Sequence, residues 1–267
     1  MNNKYVPEFF MWIKKEKRKT YVAAVVAVCC TVLAGGFYMK ECTSVGNSVS
    51  GKEMPVCSVD TEKNQVALTF ETAWGEEKTK QVLDILKKEK IKSTFFITGE
   101  WAEKHSDVLL RMKREGHDIG NSGQTHENLV QKKQREQKQE IQSAQRIVKE
   151  QTGKEMTLFR PPYGKYNNSL LRTAQSLGYL SVTWSIDSKD WKEYGEKEII
   201  DAVINSGDLK KGAIIRLNSE GKDTPKALPK LIREIKKRGY QIVPVSQMAY
   251  KENYYMDING RQIPRLT

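Results

Sequence analysis

Side chains with reactive groups stand at the ends of several short apolar runs in this sequence of 267 residues. They include carboxylates, an imidazole and a guanidinium, the groups that transfer protons, ligate metals and stabilise charge in active sites. If the runs are parallel strands, their ends converge on one mouth, and residues far apart in sequence meet there. The candidate residues are Glu71, Thr72, Ser122, His126, Arg160, Asp187 and Asn218.

The apolar runs alternate with helical patterns of roughly 10 to 15 residues, which is typical of consecutive βα units and a parallel sheet. Seven runs in a row predict an α/β fold in which the strands form a closed or nearly closed barrel. The predicted strands are Val66–Phe70, Ser93–Ile97, His117–Gly120, Thr157–Phe159, Leu180–Trp184, Ala213–Leu217 and Gln241–Val245.

Five short motifs follow one another in the same region. They are Leu68–Glu71, Gly120–His126, Phe159–Gly164, Trp184–Trp191 and Ile214–Asn218. With these motifs the sequence resembles the NodB-homology polysaccharide deacetylases, carbohydrate esterase family 4, over about residues 66 to 248. The segment Ala73-Trp74-Gly75 is similar to the first motif of the membrane-anchored, sporulation-type branch. The resemblance implies a distorted (β/α)7 barrel and N-deacetylation of an acetylated amino-sugar polymer.

The resemblance also implies roles for the residues at the strand ends. In the family, the first motif supplies a carboxylate base and an adjacent metal-binding Asp, the second supplies two His ligands, and the fifth supplies a His acid. Glu71 stands at the base position and His126 at the second metal ligand. The sequence departs from the pattern elsewhere, because Thr72 and Ser122 replace the other two ligands and Asn218 replaces the acid.

These replacements predict a site that no longer deacetylates. A catalytic zinc ion normally keeps three protein ligands, and one imidazole with two hydroxyls is a weak donor set. Asn218 cannot transfer a proton as His does, and Glu71 extends the carboxylate by one methylene. We therefore expect no cofactor, and zinc only if the alternative holds, which is an active hydrolase with an altered mechanism.

Other family positions are retained. Arg160 matches the arginine that orients the base, and Asp187 and Asp190 match the fourth motif, in which a carboxylate tunes the acid His. Without that His, the two aspartates are alternatively caps and turns before the helix near residue 196. Sugar rings stack on aromatic side chains, which predicts substrate binding by three residues on the mouth loops. These are Trp74, Tyr163 and Trp191, the last of which is alternatively a lid over the core.

The N-terminal part differs in composition from the rest. Residues 21–39 form an uncharged apolar run, about 29 Å long as a helix, which is enough to span the core of a bilayer. Excess positive charge in residues 1–20 predicts that this side stays in the cytoplasm. The small residues at 34–36 leave a cleaved signal peptide as the alternative. The pattern favours a single-pass protein of the cell membrane with an extracytoplasmic C-terminal domain.

Composition also divides the remaining chain. The predicted segments are a cytoplasmic basic segment at 1–20, a transmembrane helix at 21–39, an extracytoplasmic stalk at 40–52, the deacetylase-like domain at 53–251 and a C-terminal hairpin or tail at 252–267. Within the domain, Pro55–Val59 is expected to pair with Val66–Phe70 across a turn. Cys42 and Cys57 are candidates for a disulfide in an oxidising compartment.

The charge of the chain indicates a class of partner. The formal net charge is +12, which suits polyanionic wall polymers or lipid headgroups, although a solvated lysine-rich surface gives the same number. Nucleic acid is not expected. The sequence therefore predicts a membrane-anchored, catalytically impaired deacetylase-like protein of the cell envelope that binds N-acetylated wall glycan or a partner protein. The alternative is an active hydrolase that removes N-acetyl groups from peptidoglycan or a related polymer.

Overall fold

Parallel strands form the centre of the domain. The computed structural model describes residues 48–265 of the protein. The strands in this part are β1 (Ser48–Val49), β2 (Lys52–Glu53), β3 (Ser58–Val59), β4 (Gln65–Thr72), β5 (Thr94–Ile97), β6 (Asp118–Asn121), β7 (Leu158–Phe159), β8 (Leu180–Ser181), β9 (Ile186–Asp187), β10 (Ile214–Asn218), β11 (Gln241–Ile242), β12 (Tyr254–Met256) and β13 (Arg261–Pro264).

Helices connect most of these strands. They are α1 (Glu77–Lys88), α2 (Gly99–Lys104), α3 (Ser106–Glu115), α4 (Gln134–Thr152), α5 (Asn168–Ser176), α6 (Glu196–Ile204), α7 (Thr224–Lys237) and α8 (Val245–Met248). Short 3-10 turns lie at Leu129–Gln131, Pro162–Gly164 and Asp190–Lys192. Apolar side chains at helical spacing bury one face of each longer helix, as Leu228, Leu231 and Ile235 do in α7.

The central sheet curls into a half-barrel. Its strand order is β8-β7-β6-β5-β4-β10-β9, and β11 pairs with the start of β4. All the pairings in this sheet are parallel, so the ends of the strands point to one side. Strand β4 lies in the middle, and seven of its eight residues are buried because helices cover one face and side chains fill the other.

The predicted barrel is only half closed. In the described part of the chain, the strands at the two ends of the order, β8 and β9, do not pair with each other. The predicted strand Leu180–Trp184 is interrupted there, because Val56 bonds to the backbone instead. The Val56 N–H donates to the Ser181 carbonyl at 2.8 Å, and the Thr183 N–H donates to the Val56 carbonyl at 2.8 Å. The chain returns to the sheet only at β9.

The predicted hairpin between Pro55–Val59 and Val66–Phe70 is wrong. Both sides of β4 already carry partners, β5 on one side and β10 on the other. Strand β3 pairs instead with β13, which forms an antiparallel hairpin with β12 through the turn at Asn259-Gly260. Residues 48–53 also form a small hairpin, and the Arg172 guanidinium on α5 lies 3.0 Å from the Glu53 carboxylate.

The prediction of a single-pass membrane protein with an extracytoplasmic domain requires correction. Between residues 48 and 265, the structure contains no helix whose length and apolar character would let it cross a membrane. The run 21–39, on which that prediction depended, lies outside the described residues, as do the segment 1–20 and Cys42.

A buried histidine packs at the opposite end of the sheet from the candidate site. The His117 side chain follows α3, and its Nδ1 atom accepts a hydrogen bond from the Ser93 N–H at 3.1 Å. Burial, together with the nearby Lys92 ammonium, lowers the pKa of His117 to about 4. The folded protein therefore holds this imidazole neutral at a pH where an unfolded chain protonates it.

This histidine makes stability depend on pH. Because its folded pKa lies below the unfolded value of about 6.5, its contribution is complete above pH 6.5 and is lost as the pH falls towards 4. We expect the His117→Gln variant to lose less stability than the unmodified protein over this window, with a difference of about 3 kcal/mol at pH 4. Urea unfolding at several pH values measures it. Equal acid sensitivity of His117→Gln and a His105→Gln control would contradict the assignment.

Candidate active site

A buried carboxylate lies at the centre of the mouth. Glu71 is the next-to-last residue of β4, and it stands in register with Phe96 of β5 and Asn218 of β10. Its side chain is only 2 % exposed. One oxygen, Oε1, lies 3.1 Å from Nη1 of Arg160, and the other, Oε2, lies 3.2 Å from Nε2 of His126. Both carboxylate oxygens are therefore bound by other side chains.

The Arg160 guanidinium is completely buried and links several strands. Its Nη2 atom donates to Thr69 Oγ1 and to the Thr183 carbonyl, each at 2.8 Å. Its plane lies over the Phe96 ring, with 3.9 Å from Cζ to the ring centroid. The planar, forked donor set explains why an arginine can satisfy its charge here without water. Arg160 holds the end of β4 against the loop that follows β8.

Electrostatics favour the ionised form of this pair. Burial opposes ionisation of Glu71, but the hydrogen bond with His126 and the positive charges of Arg160 and Arg216 outweigh it. The pKa of Glu71 consequently lies below its usual range. Burial lowers the pKa of Arg160 to about 10, which still leaves the guanidinium charged at neutral pH. At neutral pH the Glu71 carboxylate is therefore ionised and paired with the Arg160 guanidinium.

His126 packs between two aromatic rings of the mouth. Its centroid lies 5.0 Å from that of Trp74 and 4.7 Å from that of Tyr163. The residue has a φ of 63°, in the left-handed region that a non-glycine residue rarely adopts. This backbone conformation turns Nε2 towards Glu71, while the Nδ1 atom is buried without a hydrogen-bond partner in the described part of the chain.

The residues at the family's metal positions do not fit a divalent ion. The Ser122 hydroxyl donates to the Arg160 carbonyl at 3.1 Å, and the Nε2 atom of His126 is engaged by Glu71. Thr72 offers only a neutral hydroxyl, which is buried and has no hydrogen-bond partner within residues 48–265. Among the described residues, no cluster of three or more His, Cys, Asp or Glu side chains could hold a metal ion. Two hydroxyls and one engaged imidazole are too weak a set for zinc.

The fourth-motif aspartates have structural partners. Oδ2 of Asp190 accepts from the Asn218 N–H at 2.6 Å and from the Thr224 hydroxyl at 2.7 Å, at the start of α7. Burial raises the pKa of Asp190 against the effect of these hydrogen bonds. Asp187 forms an ion pair with Arg216 at 3.0 Å. Asp190 therefore anchors the loops after β9 and β10, rather than the helix near residue 196.

Sequence reasoning missed Arg216 as a member of the site. It lies two positions before Asn218 in the fifth motif, and strand alternation puts both side chains on the same face of β10. Its Cζ lies 4.5 Å from the Trp184 ring centroid, and its Nε atom is buried without a partner in the described chain. An arginine in the middle of an otherwise apolar strand was the signal available in the sequence.

Two glutamates position the mouth loops and were also missed. Oε2 of Glu140, on α4, accepts from the Gln124 N–H at 2.9 Å and from the Thr125 N–H at 3.1 Å. Glu140 thereby fixes the loop that carries His126. Glu220 accepts from the Thr79 N–H at 2.8 Å, at the start of α1. It joins the loop after β10 to the loop that carries Trp74.

Exposed aromatic side chains surround this site. Trp74 is 51 % exposed and Tyr163 is 50 % exposed, although both contact the buried His126 ring. Gly164, with a φ of +68°, lets the Tyr163 loop pass close to the Trp184 ring, where a Cβ atom would clash. Trp191 is 52 % exposed beside the Lys192 ammonium, so it does not form a lid over the core. The mouth is open and aromatic.

Comparisons with known proteins agree with this architecture. A sequence model of the family described as polysaccharide deacetylase matches residues 58–182. The peptidoglycan-N-acetylmuramic acid deacetylase PdaA of Bacillus subtilis is 32 % identical, over 72 % of this chain and 74 % of its own length. A peptidoglycan-N-acetylglucosamine deacetylase of Bacillus cereus is 33 % identical, over 71 % of this chain and 90 % of its own length. The chain belongs to the polysaccharide deacetylase family.

A solved structure of a related pseudoenzyme has a similar fold. It is a mutant of a family 4 carbohydrate esterase pseudoenzyme from Bacillus anthracis, and the mutant has restored enzymatic activity. The TM-score is 0.70 at 26 % identity, and the match covers 74 % of this chain and 71 % of the other. The family thus includes a member described as a pseudoenzyme.

The buried pair of Arg160 and Glu71 should contribute strongly to stability. Replacement of Arg160 by Met leaves the Glu71 charge buried without its main partner, and we expect a loss of about 3–5 kcal/mol in the free energy of unfolding. The double variant Arg160→Met/Glu71→Leu should recover much of this loss, because a buried apolar pair is often tolerated.

Urea unfolding at neutral pH measures these changes. Arg146→Met, which removes an ion pair whose two side chains are both more than 60 % exposed, is the matched control and should cost less than about 1 kcal/mol. A double variant no more stable than Arg160→Met alone would show that the penalty does not come from an uncompensated Glu71 charge.

Proposed function

We propose that this protein has lost N-deacetylation and binds N-acetylated wall glycan at its aromatic mouth. The observation that carries the proposal is the state of Glu71. Its side chain is buried, its two oxygens are hydrogen-bonded to Arg160 and to His126, and its pKa is lowered, so it takes a proton from water poorly.

The other catalytic requirements support the same proposal. Hydrolysis of an acetamide needs an activated water, an electrophile for the developing oxyanion and an acid for the leaving amine. At the acid position, Asn218 presents an amide, which cannot donate a proton to an amine. At the metal positions, Thr72 and Ser122 present neutral hydroxyls.

Binding of a sugar requires exposed aromatic surface but no catalytic groups, and the mouth has such a surface. Trp74 and Tyr163 leave about half of their surfaces free on either side of the His126 ring. Aromatic faces of this kind bind sugar rings through contact with their apolar C–H surfaces. The relatives from Bacillus are named as peptidoglycan deacetylases, which supports an N-acetylated wall glycan as the ligand of this chain.

A second candidate function is a hydrolase that removes N-acetyl groups by an altered, metal-independent mechanism. Its support is the pair of His126 and Glu71. The carboxylate holds the imidazole through Nε2, and Nδ1 remains unpartnered among the described residues. A carboxylate that orients one nitrogen while the other acts as base occurs in hydrolytic triads. The burial of Nδ1, which keeps this nitrogen from a ligand in the mouth, favours the binding function over this candidate.

Glycan binding without turnover is the expected behaviour. Titration calorimetry with N-acetylglucosamine oligomers should show binding, and chromatography of the same mixtures should show no released acetate. The variants Trp74→Ala and Tyr163→Ala should each weaken binding roughly fivefold to tenfold, since each removes one stacking surface. Tyr255→Ala, an exposed tyrosine on the C-terminal hairpin, is the control and should bind as the unmodified chain does. Steady release of acetate would favour the hydrolase, and equal effects of all three variants would contradict binding at the mouth.

Restoration of the family residues should recreate a metal site. In the variant Thr72→Asp/Ser122→His/Asn218→His, His126 gains two strong donors and the mouth gains an acid. We expect this variant to bind zinc, and deacetylation to return only weakly because Glu71 retains its extra methylene and the ligands lack tuned partners. Zinc titration by calorimetry checks the first result, with the single variant Asn218→His as control. Failure of a folded triple variant to bind zinc would show that the mouth geometry has diverged beyond these positions.

A further inference from the structure

A row of basic side chains lies along the outer face of α4. Arg135, Lys138 and Arg146 follow one another at intervals that place them on one side of the helix, over about 16 Å of its axis. Gln142 lies between Lys138 and Arg146. These residues, together with Gln134, Gln139 and Ser143, line an open groove of about 570 Å³. We name this surface the α4 stripe.

The acidic residues of the first half of α4 do not neutralise the stripe. Glu136 accepts a hydrogen bond from the Lys133 N–H at 2.8 Å and caps the start of the helix. Glu140 is turned to the mouth loop, where it binds the backbone of Gln124 and Thr125. Both carboxylates are therefore used for local structure on other sides of the helix.

The cations of the stripe are nearly unopposed. In residues 48–265, no ion pair involves Arg135 or Lys138, whereas the adjacent lysines at 132 and 149 have acidic partners. Arg146 lies 3.3 Å from Glu150, but both side chains are more than 60 % exposed. Such a pair is screened by solvent and contributes little. The stripe therefore presents two to three positive charges to solvent.

The chemistry of the stripe selects a linear phosphate polymer among possible anionic partners. We propose that α4 binds a linear polymer with repeated phosphodiester groups, in contact with Arg135, Lys138 and Arg146. Guanidinium groups bind phosphate oxygens in a forked geometry, and an ammonium group binds them as a point charge. Along the helix axis Arg135 and Lys138 are about 4.5 Å apart and Lys138 and Arg146 about 12 Å apart, so the three cations can contact separate charges of an extended chain.

Other polyanions fit less well. An amphipathic helix that binds a membrane surface carries large apolar residues beside its basic ones, and the neutral residues of the stripe are Gln and Ser. Single-stranded nucleic acid is held by aromatic side chains on which bases stack, and none of the described residues that line this groove is aromatic. The amide and hydroxyl groups of Gln and Ser instead supply hydrogen bonds to a polymer rich in oxygen atoms.

The site is separate from the glycan-binding mouth. Glu140 and the stripe residues lie on different sides of one helix, so the helix contacts the mouth loop on one side and presents the stripe on another. The proposal therefore does not depend on the proposed function. A wall that contains both an N-acetylated glycan and a phosphate polymer would engage the two surfaces of the protein independently.

The test measures binding of the full chain to poly(glycerol phosphate) by calorimetry at 50 and 200 mM salt. We expect affinity to fall about 20-fold between these concentrations, as displacement of counterions at three contacts requires. The variant Arg135→Gln/Lys138→Gln/Arg146→Gln should bind at least about tenfold more weakly at 50 mM salt. Gln is a good helix former, so α4 should persist, and circular dichroism verifies it.

A matched control removes the same charge elsewhere. Lys230, Arg233 and Lys237 lie on α7 at intervals of three and four residues, and α7 packs against α6, which carries acidic residues in its first turn. The variant Lys230→Gln/Arg233→Gln/Lys237→Gln should bind poly(glycerol phosphate) within about twofold of the unmodified chain. All three proteins share the basic N-terminal segment, so its contribution cancels in the comparison.

Several outcomes would overturn the proposal. Equal weakening by the two triple variants would show that overall charge, and not the α4 stripe, determines binding, and no weakening by either would exclude the stripe. Two further arms use phosphatidylglycerol vesicles and duplex DNA at equal phosphate concentration. The unmodified chain could bind vesicles or DNA as tightly as poly(glycerol phosphate) and lose this binding in the stripe variant. That result would show that the stripe does not select this polymer. Retained binding of N-acetylglucosamine oligomers by the stripe variant separates this result from the proposed function.

Discussion

The buried ion pair of Arg160 and Glu71 is the interaction on which the mouth depends. A charge taken out of water is costly unless another charge and several hydrogen bonds replace the solvent. Here the guanidinium obtains them from the Glu71 carboxylate, the Thr69 hydroxyl and the Thr183 carbonyl. These partners come from β4 and from the segment after β8. The hydrogen bonds of the Arg160 guanidinium therefore hold these distant parts of the chain together.

The other replacements are consistent with this arrangement. The Nε2 atom of His126, which could otherwise bind a ligand, is hydrogen-bonded to Glu71. The Ser122 hydroxyl donates a hydrogen bond to the Arg160 carbonyl. Asp190 is bound to the backbone of Asn218 and to the start of α7. Polar groups from all five motifs therefore satisfy one another inside the protein. The exposed aromatic residues are the part of the mouth that remains available to a ligand, which is why binding is the function that the geometry favours.

The sequence supported the α/β class, the parallel strands and the meeting of residues from distant motifs, because buried parallel strands leave apolar runs with polar ends. It failed where tertiary pairing overrides local pattern. Pro55–Val59 has the composition of a hairpin strand, but β5 and β10 occupy both edges of β4. Leu180–Trp184 is one apolar run, but the backbone of Val56 divides it. The roles of Arg216 and Glu140 depend on contacts between separate elements, which a single sequence does not display.

Metal analysis of the unmodified protein, purified without chelators, tests the central claim most directly. The same preparation is assayed for acetate release from N-acetylglucosamine oligomers. The neutral donors at Thr72 and Ser122, with the occupied carboxylate of Glu71, predict less than stoichiometric zinc and no release of acetate above the uncatalysed rate. One tightly bound zinc or cobalt ion per chain, whose removal abolishes acetate release and whose return restores it, would contradict the account.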